Sequence, residues 1–90
     1  MDVKVGMNVN GISSDCIGLT IDEYHHLGTI VKVNTKSIKV KVSEVIKFRN
    51  GKEINRYKTA RMVTYKLWKV IDGEKLYRSE ANLYGIITIK

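Results

Sequence analysis

The sequence predicts a mainly β protein that folds as one domain over residues 1–90. Apolar and polar residues alternate along several segments, and these segments are rich in β-branched and aromatic residues. The dipeptides Asn50-Gly51 and Asp72-Gly73 each favour a two-residue hairpin turn. The chain has 90 residues, of which 43% are hydrophobic, so it can form one small core, and this argues against a two-domain enzyme.

The first third of the chain predicts two strands separated by a long loop. A first strand is predicted over residues 2–9, where apolar side chains occupy every second position: Val3, Val5, Met7 and Val9. Residues 10–28 lack this alternation, so we expect a long irregular loop there. Within it, Thr20-Ile21-Asp22-Glu23 fits a helix capping box and Gly28 a helix stop, which indicates one to two turns of helix. A second strand over residues 29–33 then leads into a tight turn at residues 34–37.

The rest of the chain predicts a meander of hairpins. Residues 38–49 alternate regularly, and the turn at Asn50-Gly51 connects them to a return strand over residues 52–59. Further strands are predicted over residues 62–71, 75–78 and 83–89. The segment 79–82 is long enough only for a single helical turn.

This order of elements resembles an SH3-like small β-barrel, the group that includes Tudor and KOW modules. The resembling segments are Val5-Gly6-Met7-Asn8-Val9, the strand opening at residues 28–33, Trp68 to Gly73, and the turn region 77–83. The resemblance covers roughly two thirds of the chain and implies a small barrel whose fold alone carries no function. Residues 43–61 depart from the pattern and look like an inserted β-hairpin.

The positive charge is concentrated in the middle of the chain. The formal net charge is +7, from 16 Lys and Arg residues against 9 Asp and Glu residues. Residues 32–69 hold most of the bases and only two acids, Glu44 and Glu53, whereas residues 1–31 are net negative. A concentrated patch predicts a polyanionic partner. The alternative is a lysine-rich, solvated sheet face encoded by an AT-rich genome.

The turn at Asn50-Gly51 predicts a basic ribbon. A two-residue turn would set up the opposed pairs Arg49–Lys52, Lys47–Ile54, Val45–Arg56 and Ser43–Lys58. Directly opposed side chains lie on the same face of a sheet. We therefore predict that seven cations share one face and bind nucleic acid: Lys39, Lys41, Lys47, Arg49, Lys52, Arg56 and Lys58.

Contact with phosphates is the expected binding mode, to either RNA or DNA. Each neutralised phosphate releases counterions, and a two-stranded ribbon fits a DNA major groove. We expect Trp68 to lie in the core and not to serve as a platform for base stacking. If bases are read, Arg49 and Arg56 are the expected readers, because arginine can bind guanine with two hydrogen bonds.

Two other functions remain as alternatives. A small protein of this composition, encoded by a phage or mobile element, could act as an inhibitor or adaptor that docks on an acidic surface or in the nucleic-acid channel of a host enzyme. A small RNA-cleaving enzyme would need Cys16, His25 or His26. These residues lack the spacing of a zinc site and any orienting carboxylate. We therefore expect no catalytic site, no metal and no cofactor.

The expected location is the cytoplasm. The single cysteine excludes an internal disulfide, and no apolar run is long enough to span a membrane or to form a signal peptide. We therefore expect no membrane partner. Exposed hairpin edges can pair between copies, so a homodimer is a further hypothesis, as is a protein partner.

Overall fold

The computed structural model describes residues 3–80 and 83–89, which form six antiparallel strands. The strands are β1 (Asn8–Ile17), β2 (Thr20–Asn34), β3 (Ser37–Arg49), β4 (Lys52–Ile71), β5 (Glu74–Ser79) and β6 (Ile86–Ile89). Each strand pairs with the next along the chain, and β6 pairs with β1, so the sheet closes into a barrel. The prediction of a mainly β small barrel is confirmed. No helix in these two ranges has the length and apolarity that a membrane span requires.

β-branched and aromatic side chains fill the barrel interior. Ile38, Val40 and Val42 of β3 are fully buried, as their alternation predicts, and the lysines between them point outward. Burial of each such side chain stabilises the fold by about 1.5–3 kcal/mol. Tyr65 is also fully buried, and its hydroxyl donates a 2.7 Å hydrogen bond to the backbone carbonyl of Tyr84. The core therefore contains no unpaired tyrosine hydroxyl at this position.

The barrel closes through a short seam between its first and last strands. β1 and β6 share one directly opposed pair, Ile12 and Ile86. Gly85 precedes this pair with φ +78°, and a Cβ atom there would collide with the backbone of Ile12. The segment 83–85 therefore lies directly against β1, and this close approach requires glycine at position 85.

Four strands continue beyond the barrel as an open sheet, which we call the extension (residues 13–17, 20–26, 44–49 and 52–59). β5 and β6 do not reach these residues, because β6 pairs with β1 only at Ile12 and β5 pairs with β4 only from Tyr65 onward. The side of the extension that continues the barrel interior is its inner side. The opposite side is its outer side.

The hairpin turns that connect the strands adopt the predicted conformation. Asn50 and Gly51 both have positive φ, +49° and +82°, as a type I′ turn requires. The Asn50 amide donates to the Ile21 carbonyl at 2.9 Å, and the Asn50 side-chain oxygen accepts from the Ile21 amide at 3.0 Å. The ends of the β1–β2 and β3–β4 hairpins are therefore joined to each other. The predicted hairpin over residues 43–61 is confirmed.

The predicted irregular loop with a short helix at residues 10–28 is wrong. This segment is the β1–β2 hairpin, with an unbroken register from Val9–Gly28 to Ile17–Thr20. Polar side chains can occupy alternate positions here because residues of other strands provide their hydrogen-bond partners. Asp22 accepts from Arg49, and His25 accepts from Asn10. Hydrophobic alternation is consequently weak, and the capping-box sequence lies in a strand.

Several predicted strand boundaries also need correction. The first strand begins at Asn8, near the end of the predicted range 2–9, because residues 5–6 form a turn whose Gly6 amide bonds to the Ile30 carbonyl. Residue 2 lies outside the described residues. The return strand 52–59 and the strand 62–71 are one continuous β4. The last strand begins at Ile86, three residues later than predicted. The turn predicted at residues 79–82 extends into residues 81–82, which lie outside the described residues.

Candidate nucleic-acid interface

A β-bulge changes the predicted register of the β3–β4 hairpin. Arg49 is opposite Lys52 as expected, but Lys47 is opposite Asn55, because a register shift between Lys47 and Phe48 leaves Ile54 as an extra residue. Such an extra residue reverses the alternation of every side chain beyond it. The register prediction is therefore wrong from residue 54 onward.

The bulge moves Arg56 and Lys58 to the outer side of the extension. Arg56 is opposite Ile46 and Lys58 is opposite Glu44. The Arg56 guanidinium donates at 2.8 Å to both Glu44 and Glu53, and the hydrogen bond to Glu53 is the main reason that its pKa is raised. These acids offset the cations on this side, so Arg56 and Lys58 do not contribute to a basic ribbon.

Lys47, Arg49 and Lys52 lie on the inner side, where Asp22 of β2 neutralises part of their charge. Arg49 forms a two-pronged pair with Asp22, at 2.9 Å from Nε to Oδ1 and 3.2 Å from Nη2 to Oδ2. The Lys47 ammonium is 3.7 Å from the same carboxylate. The hydrogen bond from Arg49 lowers the pKa of the buried Asp22 carboxyl. The extension is therefore not a continuous cationic surface on either side.

We expect the substitution Asp22→Asn to lower the thermal midpoint at pH 7 and to flatten its dependence on pH in acid. Because the pKa of Asp22 lies below its ordinary value of 3.8 in the folded chain, its pairing stabilises the fold above that pH. This stabilisation is lost as the pH falls through the lowered pKa. Thermal melts from pH 7 to pH 2 measure the difference. The control Glu74→Gln, whose carboxylate forms no salt bridge within the described residues, should keep the wild-type acid dependence.

Lys39 and Lys41 lie on the outer surface of the barrel, apart from the other five predicted residues. They point outward because their neighbours Ile38, Val40 and Val42 point inward. The predicted site is thus divided among three places: the barrel surface, the inner side of the extension and its outer side. One face shared by all seven cations is not observed, and the two bulges of β3 and β4 are the physical reason.

Further cations surround Lys39 and Lys41 on the barrel surface. Lys39 is directly opposite Lys32 of β2, and Lys66 of β4 lies between Ser37 of β3 and Arg78 of β5. Lys36 lies in the β2–β3 turn at one end of this surface, and Lys69 follows Lys66 along β4. We call this surface the basic barrel face: Lys32, Lys36, Lys39, Lys41, Lys66, Lys69 and Arg78.

The cations of the basic barrel face have no acidic partners among residues 3–80 and 83–89. Every salt bridge in this part of the chain involves His25, Lys47, Arg49 or Arg56. The paired segments 29–34, 37–41 and 62–71 contain no Asp or Glu. All seven cations are exposed. The positive charge of this face is therefore uncompensated within the described structure.

Trp68 lies on this face and not in the core, so its predicted position is wrong. A register shift between Leu67 and Lys69 makes Trp68 an extra residue of β4, and its side chain is 42% exposed. The Lys69 ammonium lies over the ring, 4.0 Å from its centroid, and the Arg78 guanidinium lies over it at 4.8 Å. The ring is exposed, but a base could stack on it only by displacing one of these cations.

The residues considered for catalysis do not converge. Cys16 is exposed, four residues beyond Ile12 on β1, whereas His25 is opposite Ile12 itself. The His25 Nε2 group donates to Glu23 at 2.6 Å, and His26 is buried on the other side of the sheet. Within the described ranges no group of three His, Cys, Asp or Glu residues is placed to hold a metal ion.

Comparison with known proteins does not assign a function. No protein-family model, curated protein or solved structure matches this chain. The basic barrel face is consequently interpreted from its own geometry and charge.

Proposed function

We propose that this protein binds nucleic acid through the basic barrel face, which contacts the phosphate backbone that RNA and DNA share. One observation carries the proposal: exposed cations occur at neighbouring register positions on the outside of four adjacent strands and have no carboxylate partner in the described chain. The proposal therefore assigns the interface to the barrel instead of the hairpin predicted from the sequence. Lys39 and Lys41 belong to both assignments.

The spacing of the cations suits a regularly charged polymer. Adjacent strands lie about 4.8 Å apart, and outward side chains of one strand recur about every 6.7 Å. Lys32 and Lys39 are directly opposite each other, which is unfavourable for two like charges. A polyanion removes this repulsion, and the release of its condensed counterions adds to the affinity.

Trp68 supplies a contact that phosphates alone do not provide. Bases of a single strand stack on exposed aromatic rings, and each such contact contributes about 1–3 kcal/mol. Lys69 and Arg78 lie over the ring, so a base that displaced one of them from Trp68 would keep its phosphates close to both cations. This arrangement favours single-stranded over fully paired segments at that end of the face.

Trp68 also permits a direct test, because it is the only tryptophan in the chain. We expect its fluorescence to change saturably when short single strands or duplexes of RNA or DNA are added. We expect the logarithm of the binding constant to fall with the logarithm of salt concentration at a slope of about −4 or steeper, since each neutralised phosphate contributes about −0.9 in duplex DNA. Titrations at stepped salt concentrations measure both effects.

A relocated reporter is the control for this titration. The double variant Trp68→Phe, Ile54→Trp moves the fluorophore to an exposed position near the end of the β3–β4 hairpin. We expect this reporter to respond weakly. A strong response at position 54 together with none at position 68 would contradict the placement on the barrel.

An acidic polypeptide separates this proposal from docking on a protein. A synthetic polyglutamate of matched length should bind more weakly than nucleic acid at the same salt, because it offers no base to stack on Trp68. Equal or tighter binding of the polyglutamate would contradict the proposal and favour an acidic protein as the partner.

A further inference from the structure

A groove lies on the inner side of the extension, at the point where the barrel ends. The segment 83–85 stands over the sheet, and the Tyr84 ring meets the His26 ring edge to face, with centroids 5.3 Å apart. The groove has a volume of about 580 Å³, within the usual range for small-molecule sites of ~300–1,000 Å³. We call it the tyrosine groove, and its lining includes Tyr24, His26, Tyr57, Arg61, Tyr84 and one acidic residue, Asp15.

Aromatic rings form much of this groove. Tyr24 and His26 alternate on the inner side of β2, and their rings are nearly parallel, with an interplanar angle of 10°. Tyr57 of β4 is directly opposite Val45, and Val45 is opposite His26. About half of the Tyr57 surface is exposed. Three tyrosines thus face one space from β2, from β4 and from the segment after β5. Such a space suits a flat ring that can stack or pack against their faces.

One end of the groove carries a cation. The Arg61 guanidinium donates a hydrogen bond to the Tyr84 hydroxyl and remains exposed. Arg61 forms no salt bridge with a carboxylate of residues 3–80 or 83–89. Because the hydrogen bond holds the guanidinium beside the Tyr84 ring, its remaining N–H groups are available to an anion.

His26 adds an unused hydrogen-bonding group. Its side chain is only 6% exposed, and its Nδ1 atom is buried without a partner in the described structure. The Ser13 hydroxyl lies 3.4 Å from the other ring nitrogen. Burial lowers the pKa of His26, so the ring is neutral near pH 7 and can donate at one nitrogen and accept at the other.

We infer that the tyrosine groove binds a nucleotide, with the planar base against the tyrosines and the phosphate on Arg61. A flat aromatic ring joined to an anionic group matches the two ends of the groove, and nucleoside monophosphates combine these two features. This site lies on the inner side of the sheet and is separate from the basic barrel face. The inference therefore does not rest on the proposed function.

Titration with the four nucleoside monophosphates, followed by backbone amide NMR shifts, tests this inference. We expect at least one nucleotide to shift Tyr24, Tyr57 and Tyr84 saturably. The matching nucleoside should bind more weakly, and inorganic phosphate alone should not shift Tyr24 or Tyr57. The substitution Arg61→Gln should weaken the nucleotide by about tenfold or more, because it removes a charge-assisted contact. It should leave the nucleoside nearly unaffected.

Two further variants make the result decisive. Tyr57→Leu, at a half-exposed position, should weaken nucleotide and nucleoside alike, and it keeps the test valid if Arg61→Gln disturbs the Tyr84 contact. The charge-reversed variant Lys39→Glu, Lys41→Glu should bind the nucleotide as the wild type does, even if it no longer binds nucleic acid. The inference is overturned if no nucleoside monophosphate shifts the amide signals of these tyrosines at concentrations up to ~10 mM. Binding with a dissociation constant of about 1 mM would be nearly saturated at that concentration. Equal shifts from nucleotide and nucleoside would likewise overturn the role of Arg61.

Discussion

Reversing three charges on the basic barrel face is expected to reduce nucleic-acid affinity by about 100-fold or more at moderate salt. The variant carries Lys39→Glu, Lys41→Glu and Lys66→Glu, all at exposed positions on adjacent strands β3 and β4. Three phosphate contacts are lost and three repulsive charges are introduced, so the salt slope should also decrease in magnitude by about 3. The thermal midpoint should change little, since none of the three lysines has an acidic partner in the described structure. Fluorescence titrations and thermal melts measure the two effects.

The matched control makes the same change in net charge elsewhere. Lys4→Glu, Lys52→Glu and Lys58→Glu alters three exposed lysines outside the basic barrel face, two of which belonged to the predicted ribbon. We expect this control to lose less than tenfold in affinity, because bulk charge acts only at long range and is screened by salt. If the two triple variants lose affinity equally, the surface is not a site and only net charge attracts the ligand. A larger loss in the control would return the interface to the hairpin.

The second large effect concerns stability: Gly85→Ala should lower the thermal midpoint by about 15 °C or more. The added Cβ would collide with the backbone of Ile12, and that backbone belongs to β1, so it cannot move without opening the barrel seam. Residue 85 also has φ +78°, which costs a residue with a Cβ about 1 kcal/mol or more. Together we expect a cost of roughly 3 kcal/mol or more, at about 4–8 °C per kcal/mol for a domain of this size.

Gly73→Ala separates the steric clash from the backbone conformation. Gly73 has nearly the same φ, +80°, but an added Cβ there meets no atom within 4 Å. We expect it to cost about 1 kcal/mol, which corresponds to roughly 5 °C. Calorimetric melts of the two variants measure the difference between them. It should be at least about 2 kcal/mol in unfolding free energy, which corresponds to a difference of about 10 °C in thermal midpoint. Equal midpoints would show that segment 83–85 does not press against β1.

The predictable parts of this fold are those whose signals are local. The turn at Asn50-Gly51 follows from two adjacent residues that tolerate positive φ. The inward direction of Val40 follows from an alternation that can be seen within β3 alone. These features depend on neighbours in the chain, so no knowledge of the rest of the molecule is needed.

The β1–β2 part of the extension is not predictable from the sequence, because its strands are stabilised by polar partners from elsewhere. Asp22 has no apolar character, and it belongs in a strand only because Arg49, 27 residues away, neutralises it. His26 is buried for a similar non-local reason, since Tyr84 covers it. Hydrophobic alternation cannot reveal a strand of this kind.

The sequence predicts the charge of the candidate interface but not which strands bring its residues together, because that depends on non-local register. The concentration of bases in residues 32–69 was the correct signal, and it indicated Lys39 and Lys41. Their association with Lys66 and Arg78 depends on the registers of β4 and β5, which include bulges without any sequence signature. An extra residue at Ile54 was sufficient to transfer Arg56 to the other side of the sheet.

The single residue pair that joins β1 to β6 has a consequence for how the chain reaches its native state. Every other pairing links strands that follow one another, so each hairpin can form without waiting for a distant segment. Among the described strands, only the pairing of Ile12 with Ile86 joins segments that are far apart in the sequence, and it therefore carries the largest loop-closure entropy of these pairings. We therefore expect ring closure to be the last step of folding and the first to reverse.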